Sequence, residues 1–488
     1  MRRTMILVPL ALTFLLVTAC SSDPAAPAAD AGTADSAPSP DSSAPAFELP
    51  ALWGAPVLAD SDDAPDVVSV KLVAEKTKWT LDGVEYDMLG YNGKLPGPIL
   101  QAKVGDEIVV ELTNKLDEPT TIHWHGLRIS DQMDGNPRIQ NPVKPGETFT
   151  YRFRAREAGT YWYHPHVNSN QQVERGLYGA IVIHSPDAPR YDRERVLLLD
   201  DVLVDDKNGV LPPFLGSHPE IMHGRWGNRL LTNGQASSRV THTAKQGNVE
   251  RWRIVNTANA RTMELEIKGA TFRVIGTDGG PLEKPYTTTR LLVPVGQRYD
   301  LEVSFEQAGK VELISVTQSV DANNQLVEVP YAVLSLDVAA GEAPRAVEWP
   351  AFTPPIGERQ ATRTVTVELN GQQVSTGVGI AWTMNGQANA KDPLFTFDEG
   401  ETVRIKLINK AGPEHPFHLH GQFFRIVSDG NPWTDQPGLK DTVLVPGLST
   451  VEIIAYLDNP GRWMAHCHIL AHAELGMMSE MVVKPAQK

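Results

Sequence analysis

Apolar and polar residues alternate in short runs along most of the chain, as in Thr148-Phe149-Thr150-Tyr151-Arg152-Phe153 and Thr402-Val403-Arg404-Ile405-Lys406-Leu407. Alternation with period two predicts strands with one buried face, because successive side chains leave a strand on opposite sides. Asn-Gly and Pro-Gly pairs punctuate these runs and predict tight turns. The prediction is therefore an all-β protein built from many short strands.

The runs recur three times. Asn92-Gly93 is followed by Gly105 and a run to Asn114; Asn233-Gly234 by Gly247 and a run to Asn256; Asn385-Gly386 by Gly400 and a run to Asn409. Each copy then has a second run, Pro145-Gly146 to Gly159, Pro294 to Gly309, and Pro446-Gly447 to Gly461. Repeats of this length predict duplicated β-sandwich domains of ordinary size. The predicted spans are 47–187, 188–345 and 346–488.

The chain has 488 residues, which suits several domains, and a formal charge of -15 with no basic run. That balance argues against a nucleic-acid partner, which would require a cationic patch. Residues 1–20 read as an export signal: Arg2 and Arg3, an apolar stretch from Met5 to Val17 that is short for a membrane span, then Leu16-Val17-Thr18-Ala19-Cys20. This ending resembles the lipobox of bacterial lipoproteins, which implies cleavage before Cys20 and a lipid anchor there. Arg2-Arg3 resembles a twin-arginine signal. Residues 21–46 are nearly all Ala, Pro, Ser and Asp, a composition that predicts a tether without a core. The expectation is a protein exported to the envelope or periplasm, meeting a membrane only through that anchor.

Histidine changes the picture. There are 14, and ten fall in four clusters: His123 and His125; His164 and His166; His415, His418 and His420; His466, His468 and His472. The clusters occupy matching places in the first and third repeats. His164 and His466 each lie five residues after a repeat glycine, where the second repeat has Ile314. Pairs two apart on a strand present both imidazoles to one side. Eight such imidazoles suffice for three metal ions, and imidazole suits copper, zinc, nickel and iron. The other four, His184, His218, His223 and His242, show no ligand spacing and are expected on the surface or in loops.

Cys467 selects among the metals. It lies between His466 and His468, so it points to the opposite face, toward His472 and His415. Met477 follows ten residues later. Two imidazoles, a thiolate and a weak thioether form a blue-copper electron-transfer site. The flanking histidines would join a separate cluster, so one tripeptide would link the two.

His123-Trp124-His125-Gly126, His164-Pro165-His166, His415-Pro416-Phe417-His418-Leu419-His420-Gly421 and His466-Cys467-His468 through His472 to Met477 resemble the four copper motifs of the multicopper oxidases. The resemblance implies three tandem cupredoxin-like, Greek-key sandwiches and four coppers per chain. Type 1 ligands would be His415, Cys467, His472 and Met477. Type 2 ligands would be His123 and His418. The type 3 pair would take His125, His164, His166, His420, His466 and His468. It also implies that dioxygen is reduced to water with electrons from a small reductant. Asp134 matches an acid that the family uses near the cluster to supply protons. Many bacterial members carry a second acid directly after the last type 1 histidine; here that position is Ala473, and Glu474 follows. The leading expectation is a laccase-like oxidase of phenols or aromatic amines, docking at whichever edge of His415 or His472 is exposed, with Glu414 as acceptor of a phenolic proton. The alternatives are a cuprous-ion or other metal-ion oxidase for copper tolerance, although the 11 methionines form no cluster, and a non-enzymatic copper-binding envelope protein.

Overall fold

The computed structural model describes residues 47–486, except 321–324, 353–358, 376 and 428–435. The predicted export signal (1–20) and tether (21–46) lie outside the described residues. From Glu48 onward the chain is one compact unit of six sheets that pair into three cupredoxin-like sandwiches. Among the described residues no helix is long and apolar enough to cross a membrane.

The threefold repeat has a physical basis. Asn92, Asn233 and Asn385 all sit at positive φ (54°, 51° and 48°), each before a positive-φ glycine. Asn and Gly tolerate this conformation best, and it matches the twist of a hairpin. Each asparagine Oδ1 accepts the backbone N–H of a neighbouring strand, at Val73, Leu198 and Glu368 respectively. The closing residues Asn114, Asn256 and Asn409 are buried. Their amides donate to two carbonyls in neighbouring segments, at Glu118 and Val143, Arg261 and Val293, and Pro413 and Val445. In the first and third copies this lock holds the loop that leads into a histidine strand.

In the first sandwich the sheet of Val84–Tyr91, Val67–Leu81, Glu107–Asn114 and Thr148–Arg154 faces a second sheet of Leu100–Lys103, Gly179–His184, Gly159–His164 and His123–His125. The third repeats the plan, with His415–Leu419 beside Gly461–Cys467. The middle sandwich has Met263–Lys268 and Gly309–Val320 at those places, and Ile314 there is a buried apolar side chain. Leu52–Trp53, expected in the first domain, instead pairs with Arg193–Val202 of the middle sandwich. A shared apolar cluster takes Trp162 from the first sandwich, Val255 from the second and Leu470 from the third. Burial at this junction holds the first and third sandwiches together where their histidines meet.

Candidate copper centres

Register sets the first contacts. His123 is opposite His164, and His418 is opposite His466. The two strand pairs face each other across the boundary between the outer sandwiches. There the imidazole nitrogens gather in groups whose donor atoms lie within 4.8 Å of one another: His125 with His164 and His468; His166 with His420 and His466; His123 with His418 and His420. All eight of these side chains are buried.

Hydrogen bonds fix which nitrogen is free. His123, His164, His418 and His466 donate Nδ1–H to the carbonyls of Asp134 (3.0 Å), Pro165 (3.1 Å), Asp441 (2.9 Å) and Cys467 (2.9 Å). A carbonyl can only accept, so each neutral ring keeps its lone pair on Nε2. For His123, His164 and His418 that atom is buried without a partner. His420 donates Nδ1–H to Asp134 Oδ2 at 2.7 Å, so its Nε2 faces His466 Nε2 at 3.1 Å. Two acceptors at that distance call for a cation between them. Burial holds His125, His164, His166, His420 and His468 well below the ordinary imidazole range, and His466 at about 3. The rings are therefore neutral donors, which is the state that binds a metal.

Asp134 sits just after the short 3-10 turn Asp131–Met133 and is fully buried. Burial raises its pKa against the pull of His123. Its carboxylate contacts His420 and lies 3.1 Å from His123 Nδ1, so it touches histidines of both outer sandwiches. Asp441, which no spacing in the sequence marks, plays a parallel part. Its Oδ1 lies 3.2 Å from His125 Nε2. Burial alone would raise its pKa, but Arg298 and His125 hold it well below the usual carboxylate range.

On the other face of the Cys467 strand a second site forms. Cys467 Sγ lies 3.5 Å from His415 Nδ1 and 3.7 Å from His472 Nδ1, and the two nitrogens are 3.1 Å apart. Burial pushes the Cys467 thiol up, so a thiolate there needs a cation beside it. Met477 is buried with Cys467 in one core cluster. Its N–H donates to the His472 carbonyl (2.9 Å), and its carbonyl accepts from the Cys467 N–H (3.1 Å). The donor set of two imidazoles and one sulfur, with Met477 tied to His472 and Cys467 through its backbone, fits copper better than zinc or iron.

Three expectations need correcting. Neither His415 nor His472 has an exposed edge: both are fully buried, and His472 Nε2 donates to the Met222 carbonyl (3.2 Å) beneath the helix His218–His223. Trp382 packs 4.3 Å from the His472 ring and donates to the Ile221 carbonyl in the same helix. Glu474 is exposed, near Asn170 and Glu220 rather than the histidine cluster. In the helix Leu470–Glu474, position 474 is about 200° round from His472, which points inward. His184 is buried at a strand end, 3.0 Å from the Gln101 amide, and burial holds it at about 3. His218 and His223 are exposed, and His242 is half-buried against Trp53.

Three cupredoxin-like sandwiches with a sulfur–imidazole site tied to a histidine cluster define a class of copper-dependent oxidoreductases. Family models described as multicopper oxidase match residues 73–188, 199–343 and 359–487. The chain is 30% identical to the multicopper oxidase MmcO of Mycobacterium tuberculosis, over 85% of this chain and 86% of that one. It is 31% identical to Laccase-1 of Botryotinia fuckeliana, over 84% and 81%. A solved multicopper oxidase of Campylobacter jejuni, described as a metallo-oxidase, superimposes with a TM-score of 0.78 at 27% identity, covering 90% of this chain and 96% of that one. The chain belongs to the multicopper oxidase family: it is a copper enzyme that uses dioxygen as electron acceptor. This sets aside the non-enzymatic alternative.

Proposed function

We propose that the chain oxidises small aromatic reductants, phenols or aromatic amines, one electron at a time, and passes the electrons to dioxygen at a separate cluster. His415, Cys467, His472 and Met477 would hold the type 1 copper. His123 and His418 would hold the type 2 copper, and His125, His164, His166, His420, His466 and His468 the type 3 pair. When bound, these four coppers supply one-electron transfer at the first site and four-electron reduction of dioxygen to water at the other. The chain's own residues supply the rest. Cys467 joins the sites through its bonds to His466 and His468. Asp134, buried against His420 and His123, is placed to pass protons to the cluster. The packed junction of the outer sandwiches keeps bulk water out.

The observation that carries the substrate reading is a cavity of about 400 Å³ whose wall includes Glu414, next to His415, and Ile469, two residues from Cys467. Trp226, Leu292 and Val316 give it apolar area for a ring. Thr262 donates its hydroxyl to Glu414 Oε1 at 2.6 Å, which fixes a carboxylate where a phenolic O–H would arrive. Apolar walls with a few fixed polar groups are the usual form of a small-molecule site. A second reading, oxidation of a metal ion such as Cu(I), is favoured by His223, Glu264 and Glu414 at the same cavity. Export and lipid anchoring at Cys20 belong to this proposal and would place the reductant outside the cytoplasm.

The test is copper loading of residues 47–488 and of its Cys467→Ser variant. The expected result is a blue absorption band and oxygen uptake with a phenol, both lost in the variant. Faster uptake with Cu(I) than with any phenol would favour the second reading. A copper-loaded protein with neither band nor uptake would refute both.

A further inference from the structure

The middle sandwich holds none of the clustered histidines, yet it reaches them through Arg298. This side chain is fully buried and uses every donor it has. Nε donates to the Thr160 carbonyl of the first sandwich at 3.1 Å. One terminal nitrogen donates to the Gly296 carbonyl (3.1 Å) and to Asp441 Oδ1 (2.8 Å). The other donates to the Asp278 carbonyl (2.8 Å) and to Asp441 Oδ2 (2.6 Å). Asp441 belongs to the third sandwich, so one guanidinium ties all three together. The glycine after His125 makes room for it. A Cβ on Gly126 would lie 2.3 Å from an Arg298 nitrogen and 2.8 Å from Asp441 Oδ2. The backbone of the middle sandwich also touches the cluster directly: a Cβ on Gly296 would lie 3.0 Å from the His468 ring and 3.1 Å from the His125 ring.

His125 differs from its neighbours. His123, His164, His418 and His466 give Nδ1–H to backbone carbonyls and keep the lone pair on Nε2. In His125 it is Nε2 that meets Asp441 Oδ1, and Nδ1 that is buried without a partner. A carboxylate accepts, so the proton lies on Nε2 and the lone pair on Nδ1. No backbone carbonyl takes this role: Nε2 meets the Asp441 carboxylate and, at 3.4 Å, the Thr442 hydroxyl, whose own proton goes to Asp441 Oδ1 (2.8 Å), so both act as acceptors. Two parallel hydrogen bonds from Arg298 fix the plane of the Asp441 carboxylate.

We propose that Arg298 is a positioning residue: by clamping Asp441, the middle sandwich selects the His125 tautomer that presents Nδ1 and so completes the His125–His164–His468 group. This rests on the assignment of that group to a copper. It also gives the sandwich without copper ligands a part in orienting a copper ligand of the first sandwich.

The experiment uses the full chain loaded with copper, as wild type and as Asp441→Asn, Arg298→Lys and Arg298→Met. Copper per chain, the blue band, the near-ultraviolet absorption of the coupled pair and the paramagnetic resonance of the type 2 copper are read for each. In Asp441→Asn, an amide facing His125 donates to Nε2 and moves the ring proton to Nδ1. Turned the other way, the amide faces Arg298 and breaks the clamp. The expected result is a copper affinity at this group lowered roughly 10–100-fold, the usual effect of removing a partner that orients a ligand. The near-ultraviolet band should fall with it, while the blue band keeps its intensity. Arg298→Met should behave alike, and Arg298→Lys should fall between, because an ammonium cannot form the parallel pair. Asp441→Asn preserves size and shape, so the question stays answerable if Arg298→Met does not fold. Full loading with unchanged cluster spectra in Asp441→Asn would overturn the proposal, as would loss of the blue band in step with the cluster signals. A wild-type chain without the near-ultraviolet band would overturn the copper assignment itself, and the tautomer role with it.

Discussion

The helix His218–His223 covers the His472 edge, and one buried arginine latches it. Arg225 donates to Glu220 of that helix (2.9 Å), to Glu174 (3.0 Å) and to the Pro212 (2.8 Å) and Pro213 (3.3 Å) carbonyls, with its guanidinium 4.1 Å from the Phe214 ring centroid. Arg225→Ala removes all of these at once. Breaking a buried pair costs about 3–5 kcal/mol. The lower end applies here, because Glu174 still accepts the Leu203 N–H and can escape its charge by protonation. A loss of about 3 kcal/mol confined to this segment raises its open population roughly 10²-fold, at 1.4 kcal/mol per factor of ten.

The pH dependence of the loss is a further check. Burial, opposed by Arg225, places Glu174 at about 7, above its ordinary value. Stability from its neutral form is therefore present at acid pH and is lost as pH rises through 7. At pH 5 the acid is protonated with or without Arg225, so the variant loses only hydrogen bonds. At pH 8 it is ionised in the wild type and leans on Arg225. Each further unit of upward shift in the variant then costs about 1.4 kcal/mol. Hydrogen–deuterium exchange of backbone amides 217–224 should accelerate in Arg225→Ala, more at pH 8 than at pH 5, with the strands Gly461–Cys467 and His415–Leu419 unchanged. Bulky one-electron donors should gain in kcat/KM relative to small ones. Exchange that is unchanged in the helix, or raised equally in those strands, would refute a local latch.

Glu414→Gln should lower kcat for phenols by roughly 10²-fold, the low end for losing a general base, yet spare a donor that releases no proton; equal losses for both donors would remove Glu414 from that role. Asp134→Asn should slow oxygen uptake at saturating reductant by roughly 10²-fold without altering the blue band, and an unchanged rate would exclude it as the proton carrier. Gly421→Ala places a Cβ 2.3 Å from the Trp463 indole at φ +63°. Left-handed strain of about 1–2 kcal/mol and overpacking of about 1–3 kcal/mol should lower the melting temperature clearly, whereas Gly400→Ala, with nothing within 4 Å of its Cβ, carries only the strain; equal shifts would count against the packing argument.

Much of the site was legible because direction along a strand is a local property. Spacing of two put His123 with His125 and His466 with His468 on one side, and turned Cys467 to the other, before any partner was known. The repeat of Asn-Gly turns and closing asparagines likewise reflects bonds made within one sandwich, so it survives as a pattern in the chain. Glu474 shows the limit of such reasoning. Its spacing from His472 has one meaning on a strand and another on the helix that the chain forms there, and the helix turns it outward.

Local spacing specifies where a side chain points, but not what it meets. Asp134 and His420 are 286 residues apart, and His125 and Asp441 are 316 apart. The His125 tautomer, the Arg298 clamp and the cover over His472 all depend on surfaces of different sandwiches coming together. The sequence by itself determined the family, the three sandwiches and the residues able to bind copper, because strand alternation and turn chemistry act over a few residues. Only the tertiary structure decided which imidazoles lie together, which nitrogen each leaves without a partner and what covers His472, because those follow from packing between domains and leave no periodic trace in the chain.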